Sequence, residues 1–157
     1  AAGITVTDDA PVLVVGDAWN GFTYESVNRA FRQVMGGASL IALEKDRFWK
    51  DGGSLSLGAG AFVAGLEYAS GKEALLMGKP SSAFFEMALH QLGVEPGETL
   101  MVGDDIVSDI GGARGCGING VLVMTGKCSR EILDASPAQP DWILPSVADL
   151  PALLDHV

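Results

Sequence analysis

The sequence predicts an α/β fold built on parallel strands, and three observations carry that reading. Short apolar runs alternate with stretches of helical periodicity along most of the chain. Several of the apolar runs end at glycine just before a helix start, the pattern of successive βα units. Apolar residues make up 48% of the 157, so a real core can be buried.

Taken in order, Pro11 to Gly16 reads as a buried strand. Thr23 caps a helix running to Met35, with Val27, Ala30, Phe31 and Val34 on one stripe. Gly36 and Gly37 stop it. Ser39 to Leu43 is a second strand. A charged, aromatic stretch from Glu44 to Asp51 turns at Gly52-Gly53, and Ser54 to Leu57 is a short strand. Ala61 to Ala69 forms a helix ended by Gly71. Ala74 to Met77 opens a second βα series, followed by a helix capped by Ser81 or Ser82 with Phe85, Ala88, Leu89 and Leu92 on one face. Thr99 to Val102 is a strand, followed by a helix to Cys116. Val121 to Met124 is a strand, Ser129 to Asp134 a short helix, Asp141 to Leu144 an edge strand and Ser146 to Asp155 a last helix. A domain junction is expected near Lys72, between a small α/β unit at 1–72 and the series at 73–157.

The formal charge of -10 argues against nucleic acid or an anionic membrane as a partner, since both call for a basic face. No apolar run is long enough to span a bilayer, and no secretory leader is expected in an N-terminus of Ala-Ala-Gly. The missing initiator Met fits either Met removal or a segment of a longer chain. Cys116 and Cys128 form no CxxC and fit a reducing cytoplasm.

Chemistry concentrates after the strand at 99–102. Asp104, Asp105 and Asp109 stand beyond its carboxyl end, where open α/β sheets bind ligands. Asp105 and Asp109 share one helix face. Three carboxylates this close call for a cation, and Mg²⁺ is the natural one because it takes oxygen ligands. A helix cap with a solvated acidic face explains the same residues equally well on composition alone. Lys79 ends the preceding strand, and adjacency of consecutive strands would set it beside Asp104. A carboxylate for the metal and a cation for phosphate oxygens are what phosphoryl transfer needs. A Gly-Lys-Pro turn with a solvated lysine is the plain alternative.

Gly78-Lys79-Pro80, followed by Gly103-Asp104-Asp105-Ile106-Val107-Ser108-Asp109, resembles the third and fourth motifs of haloacid-dehalogenase-like (HAD-like) phosphatases. FTYESVNRAF, GAGAFVAGLEYASGK, GKPSSAFF, MVGDDIVSDIGGARGCGI and VLVMTGK resemble the branch with a large α/β cap. The resemblance runs in order from about Val12 to Lys127. It implies most of an α/β cap domain at 1–72 and the C-terminal part of a Rossmann-like core with a parallel sheet at 73–157. It also implies Mg²⁺-dependent hydrolysis of phosphate monoesters or related phosphorylated small molecules through an aspartyl phosphate. Asp104 would bind the metal directly. Asp105 and Asp109 would complete the metal site by orienting its waters and Lys79. Lys79 would hold the phosphoryl group and the nucleophile's charge. The loop from Lys45 to Gly53 would sit where the family selects substrate, with Arg47, Trp49 and Lys50 holding an anion or a flat ring; a solvated charged hairpin is an equal reading. A homodimer through the cap is a further expectation from the family.

The Asp-x-Asp-Gly motif that supplies the family's nucleophile does not occur in these residues. Asp17-Ala18-Trp19-Asn20-Gly21 has Asn where the second Asp would stand. Two readings follow: a piece of a phosphatase whose nucleophile lies outside the chain, or a catalytically inactive binding or dimerisation module. A receiver-like regulatory domain is a weaker third, for it too needs an acceptor Asp on an early strand.

Overall fold

The structure is a computed structural model that describes residues 3, 5–7 and 9–156. The chain divides into two compact units, Ala1–Gly78 and Lys79–Val157.

In the first unit, β1 (Val12–Val15), β2 (Ser39–Ala42) and β5 (Leu75–Leu76) make a parallel sheet in the order β1-β2-β5. Helix α1 (Tyr24–Met35) crosses between the first two strands. It begins where the sequence places its cap. Thr23 Oγ1 accepts the Ser26 N–H at 3.1 Å and Ser26 Oγ accepts the Thr23 N–H at 3.0 Å, which satisfies two end donors at once. Its stripe meets the sheet: Val34 is fully buried, and Val27, Ala30 and Phe31 pack on the same cluster as Val15, Leu40, Val63 and Leu66. Strands β3 (Phe48–Asp51) and β4 (Ser54–Leu57) form an antiparallel hairpin that turns through Gly52 and Gly53, both at positive φ. Helix α2 (Gly60–Ser70) ends at Gly71 in the left-handed conformation.

The second unit holds a three-stranded parallel sheet, β6 (Leu100–Gly103), β7 (Asn119–Val123) and β8 (Trp142–Leu144), in that order. Helices α3 (Ser82–Leu92), α4 (Gly112–Gly115), α5 (Arg130–Ala135) and α6 (Leu150–Leu154) accompany it. Ile106, Ile110, Leu122 and Leu133 bury one cluster, and Phe85, Ala113 and Ile118 another.

Three expectations change. The strand predicted at Ala74–Met77 pairs with β2 and closes the first sheet, instead of opening a series with β6. The helix expected to run to Cys116 begins as a π-helical turn, Ile106–Gly111, in which the N–H groups of Asp109 and Ile110 both reach the Asp105 carbonyl. Leu92, placed on the buried stripe of α3, is 68% exposed because the helix ends at Gly93 with that turn facing out.

Asp141 ties β8 to β7. It accepts the Gly120 N–H at 2.8 Å and bonds the Arg114 guanidinium. The guanidinium first, and that N–H second, hold its carboxyl below the usual Asp range. A depressed folded value gives stability that is present above the unfolded value of about 3.9 and is lost as pH falls through the folded one. Denaturant unfolding at pH 7 and pH 3 should therefore show a loss at pH 3 that is smaller in Asp141→Asn.

Candidate functional site

The loops at the carboxyl ends of β6 and β7 bring the acidic cluster together. These strands are parallel neighbours, with Gly103 paired to Leu122, so the residues after each emerge on the same side of the sheet.

Asp109 is the centre of the arrangement. It is 3% exposed, and its two oxygens are engaged. Oδ2 accepts the backbone N–H groups of Asp104 and Asp105, both at 3.1 Å, and Oδ1 meets Lys79 Nζ at 2.5 Å. The π-helical turn sets this up by bringing Asp109 back under the strand end. Gly103 leaves the space: a Cβ there would lie 2.2 Å from Asp109 Oδ2. Asp105 caps the turn, its Oδ1 accepting from Val107 at 3.0 Å and Ser108 at 2.9 Å. Burial pushes the Asp105 carboxyl up, but the N–H groups of Ser108 and Val107 and the Lys127 ammonium outweigh it and hold it below its ordinary value.

Asp104 is held differently. Its Oδ2 accepts the Lys127 N–H at 2.8 Å, and its carbonyl accepts the Cys128 N–H at 3.1 Å. Oδ1 takes no hydrogen bond among the described residues, so Asp104 is the carboxylate with an oxygen to offer a cation. Among the described residues no set of three His, Cys, Asp or Glu side chains converges as metal ligands. Asp105 and Asp109 take up backbone N–H groups and the ammonium ions of Lys127 and Lys79, so they hold Lys79 and the strand turn around Asp104.

Lys79 reaches Asp109, though not by strand adjacency. It leads into α3, and the Pro80 beside it packs on Gly112, where a Cβ would lie 2.9 Å from Pro80 and 2.6 Å from Phe85. Lys127 is the residue that sequence reasoning left without a role. Its N–H fixes Asp104, and its Nζ lies 3.4 Å from Asp105 Oδ2. Its place just past a strand neighbouring β6 was the available signal. Burial first, then the charges of Asp105 and Asp104, pushes the Cys128 thiol up, away from a reactive thiolate.

Gly126 is the tightest point of the site, since a Cβ would stand 1.8 Å from Asp104 Oδ2. Gly126→Ala should displace this loop and cost about 1–3 kcal/mol of stability. The check is urea unfolding followed by Trp142 fluorescence in a Trp19→Phe/Trp49→Phe background.

In the first unit Arg47, Trp49 and Lys50 do not converge. Trp49 lines a cleft with Trp19 and the carboxylates of Asp17, Glu44 and Asp46, while Arg47 and Lys50 are exposed and outside its lining. Period-two alternation along β3 turns Lys50 away from Trp49. The lining beside Trp49 is acidic and aromatic, with Arg47 and Lys50 outside it.

No helix among the described residues is long and apolar enough to cross a membrane. Residues 76–150 match the HAD-hydrolase-like family model. Haloacid dehalogenase-like hydrolase domain-containing protein 2 of Bos taurus is 47% identical over 151 residues, 96% of this chain and 57% of that protein. The p-nitrophenyl phosphatase from Archaeoglobus fulgidus superposes with a TM-score of 0.84 at 29% identity, over 93% of this chain and 57% of that one. A glycerol phosphate phosphatase from Mycobacterium tuberculosis, solved in complex with magnesium, does so at 0.78 and 27%, over 89% and 42%. The chain thus spans little more than half the length of the first two. From the match of its motifs, its sequence and its parallel-sheet fold, the chain belongs to the haloacid-dehalogenase-like family.

Proposed function

We propose that these residues are the cap and the metal-side half of the core of a Mg²⁺-dependent phosphatase that hydrolyses phosphorylated small molecules. On this reading the cap is the first unit, and the attacking carboxylate lies outside the chain. The observation that carries the proposal is the division of labour around Asp109. One buried carboxylate holds the Asp104 backbone and the Lys79 ammonium together, and Asp104 keeps an oxygen free of hydrogen bonds among the described residues.

That donor set fits Mg²⁺, which is commonly held by one or two protein carboxylates and completes its shell with water and phosphate oxygens. Asp104 would hold it. When bound, the ion would neutralise charge on the phosphoryl oxygens. Lys79 acts on the same group from its side as a fixed cation, with Asp109 preventing it from swinging into solvent. Asp105 ends the strand turn and, through Lys127, joins the two loops. The backbone N–H of Lys127 holds Asp104 through Oδ2.

The test is turnover of an aryl phosphate by the intact protein in which these residues occur, with Mg²⁺ and after chelation by EDTA. Mg²⁺-dependent release of phosphate is expected, while the 157-residue chain alone should give none. Equal turnover with and without divalent metal would overturn the reading. No turnover by the intact protein would leave the binding module as the better description.

A further inference from the structure

Lys127 is joined to the acidic cluster twice, and the two contacts differ in kind. Its backbone N–H donates to Asp104 Oδ2 at 2.8 Å. That bond belongs to the main chain and survives any side chain at position 127. The next residue reinforces it, since the Cys128 N–H donates to the Asp104 carbonyl at 3.1 Å. The second contact needs the ammonium: Lys127 Nζ lies 3.4 Å from Asp105 Oδ2. The two side chains are 24% and 23% exposed, so this pair is shielded from most solvent and holds more firmly than one on the open surface.

The partners of Asp105 divide its two oxygens. Oδ1 accepts the N–H groups of Val107 at 3.0 Å and Ser108 at 2.9 Å and is committed to the turn. Oδ2 meets the Lys127 ammonium and no other group among the described residues. Without that ammonium, Oδ2 would be a half-buried, charged oxygen with no partner, on the residue next to Asp104. Such an oxygen gains from any cation within reach. A divalent ion on Asp104 would then have a second carboxylate to draw on. Ligand number decides which ion profits. Mg²⁺ keeps several waters and is held by one or two carboxylates, whereas Ca²⁺ takes roughly 6–8 oxygens in a looser shell and gains more from an added carboxylate.

We infer that Lys127 is a positioning residue that sets the ion preference of this site: its ammonium holds Asp105 Oδ2 back from the metal, leaves Asp104 as the directly bound carboxylate, and so favours Mg²⁺ over Ca²⁺. The inference rests on the proposed metal role of Asp104 and adds to it the device that limits the number of carboxylates.

The test is calorimetric titration of the intact protein in which these residues occur, with MgCl₂ and separately with CaCl₂, at constant ionic strength and without substrate. The readout is the ratio of the two dissociation constants, which a general loss of structure would not turn toward one ion. Lys127→Met, similar in length and uncharged, should shift that ratio several-fold toward Ca²⁺. Lys127→Arg should keep the wild-type ratio, because a cation still meets Asp105 Oδ2. Asp105→Asn retains an oxygen for the Val107 and Ser108 N–H groups, and in that background Lys127→Met should no longer move the ratio. Circular dichroism melts confirm that each variant is folded, and if Lys127→Met does not fold, Lys127→Gln takes its place with the same expectation. An unchanged ratio in the folded variant overturns the inference. A shift that persists in the Asp105→Asn background, or that Lys127→Arg reproduces, overturns it too. Each of these results leaves Mg²⁺ binding by the wild type, and with it the phosphatase reading, in place. A wild type that binds neither ion, or binds both as well after Asp104→Asn, overturns the metal reading and the inference together.

Discussion

Asp104→Asn, made in a protein that also contains the attacking carboxylate, is expected to lower aryl phosphate turnover on the order of 10²-fold or more, about 3 kcal/mol of transition-state stabilisation. The substitution keeps the shape of the side chain. An amide oxygen can still accept the Lys127 N–H that Oδ2 accepts at 2.8 Å, so the loop should hold. What disappears is the charge on Oδ1, the oxygen left to a cation. The loss should therefore appear in Mg²⁺ affinity as well as in rate, while the melting temperature changes little. Titrating Mg²⁺ against activity and, separately, against thermal stability distinguishes a lost ligand from a damaged fold. Near-normal turnover at ordinary Mg²⁺ would remove Asp104 from the metal site.

Asp109→Ala is expected to have the largest effect on stability. The carboxylate is buried and accepts from two backbone N–H groups and the Lys79 ammonium. Its removal strands the two backbone donors, while the Lys79 side chain, 38% exposed, can turn to water. Each orphaned N–H costs about 1–3 kcal/mol, so about 2–6 kcal/mol together. For a unit of this size that is a fall of at least about 8 °C in melting temperature. Asp109→Asn should cost less, since its amide oxygen can keep the two N–H bonds, but its NH₂ group would then face the Lys79 ammonium. Thermal melts of the two variants should thus rank wild type above Asn and Asn above Ala. An Ala variant within about 1 kcal/mol of wild type would mean that the Asp109 network does not hold the site together.

Much of this molecule was legible along the chain because the signals are local. The Thr23 cap, the stop at Gly71 and the turn at Gly52-Gly53 depend on a few neighbouring residues, and each lies where the sequence places it. The stripe of Val27, Ala30, Phe31 and Val34 follows from helix geometry alone. The resemblance carried by the Gly-Lys-Pro and Gly-Asp-Asp runs was similarly explicit, because it rests on residue order. The partner of β5 was not legible. Parallel pairing is a choice between distant strands, and a two-residue ladder to β2 leaves no mark in the sequence of Leu75 and Leu76. The neighbours of Trp49 were not legible either. Arg47 and Lys50 lie next to Trp49 in sequence, yet strand alternation removes Lys50 from its surroundings while Asp17 and Trp19 arrive from a loop about thirty residues earlier.

By itself the sequence determined the α/β class, most helix and turn positions, and which residues could carry phosphoryl chemistry, since propensity, capping and motif order are properties of short segments. Only the tertiary structure decided which carboxylate keeps an oxygen to offer. Hydrogen bonds from Lys79, Lys127 and the backbone of the π-helical turn occupy Asp109 and Asp105; Lys127 meets Asp105 only when β6 and β7 lie side by side, and Lys79 meets Asp109 only when the start of α3 packs on the turn at Gly112.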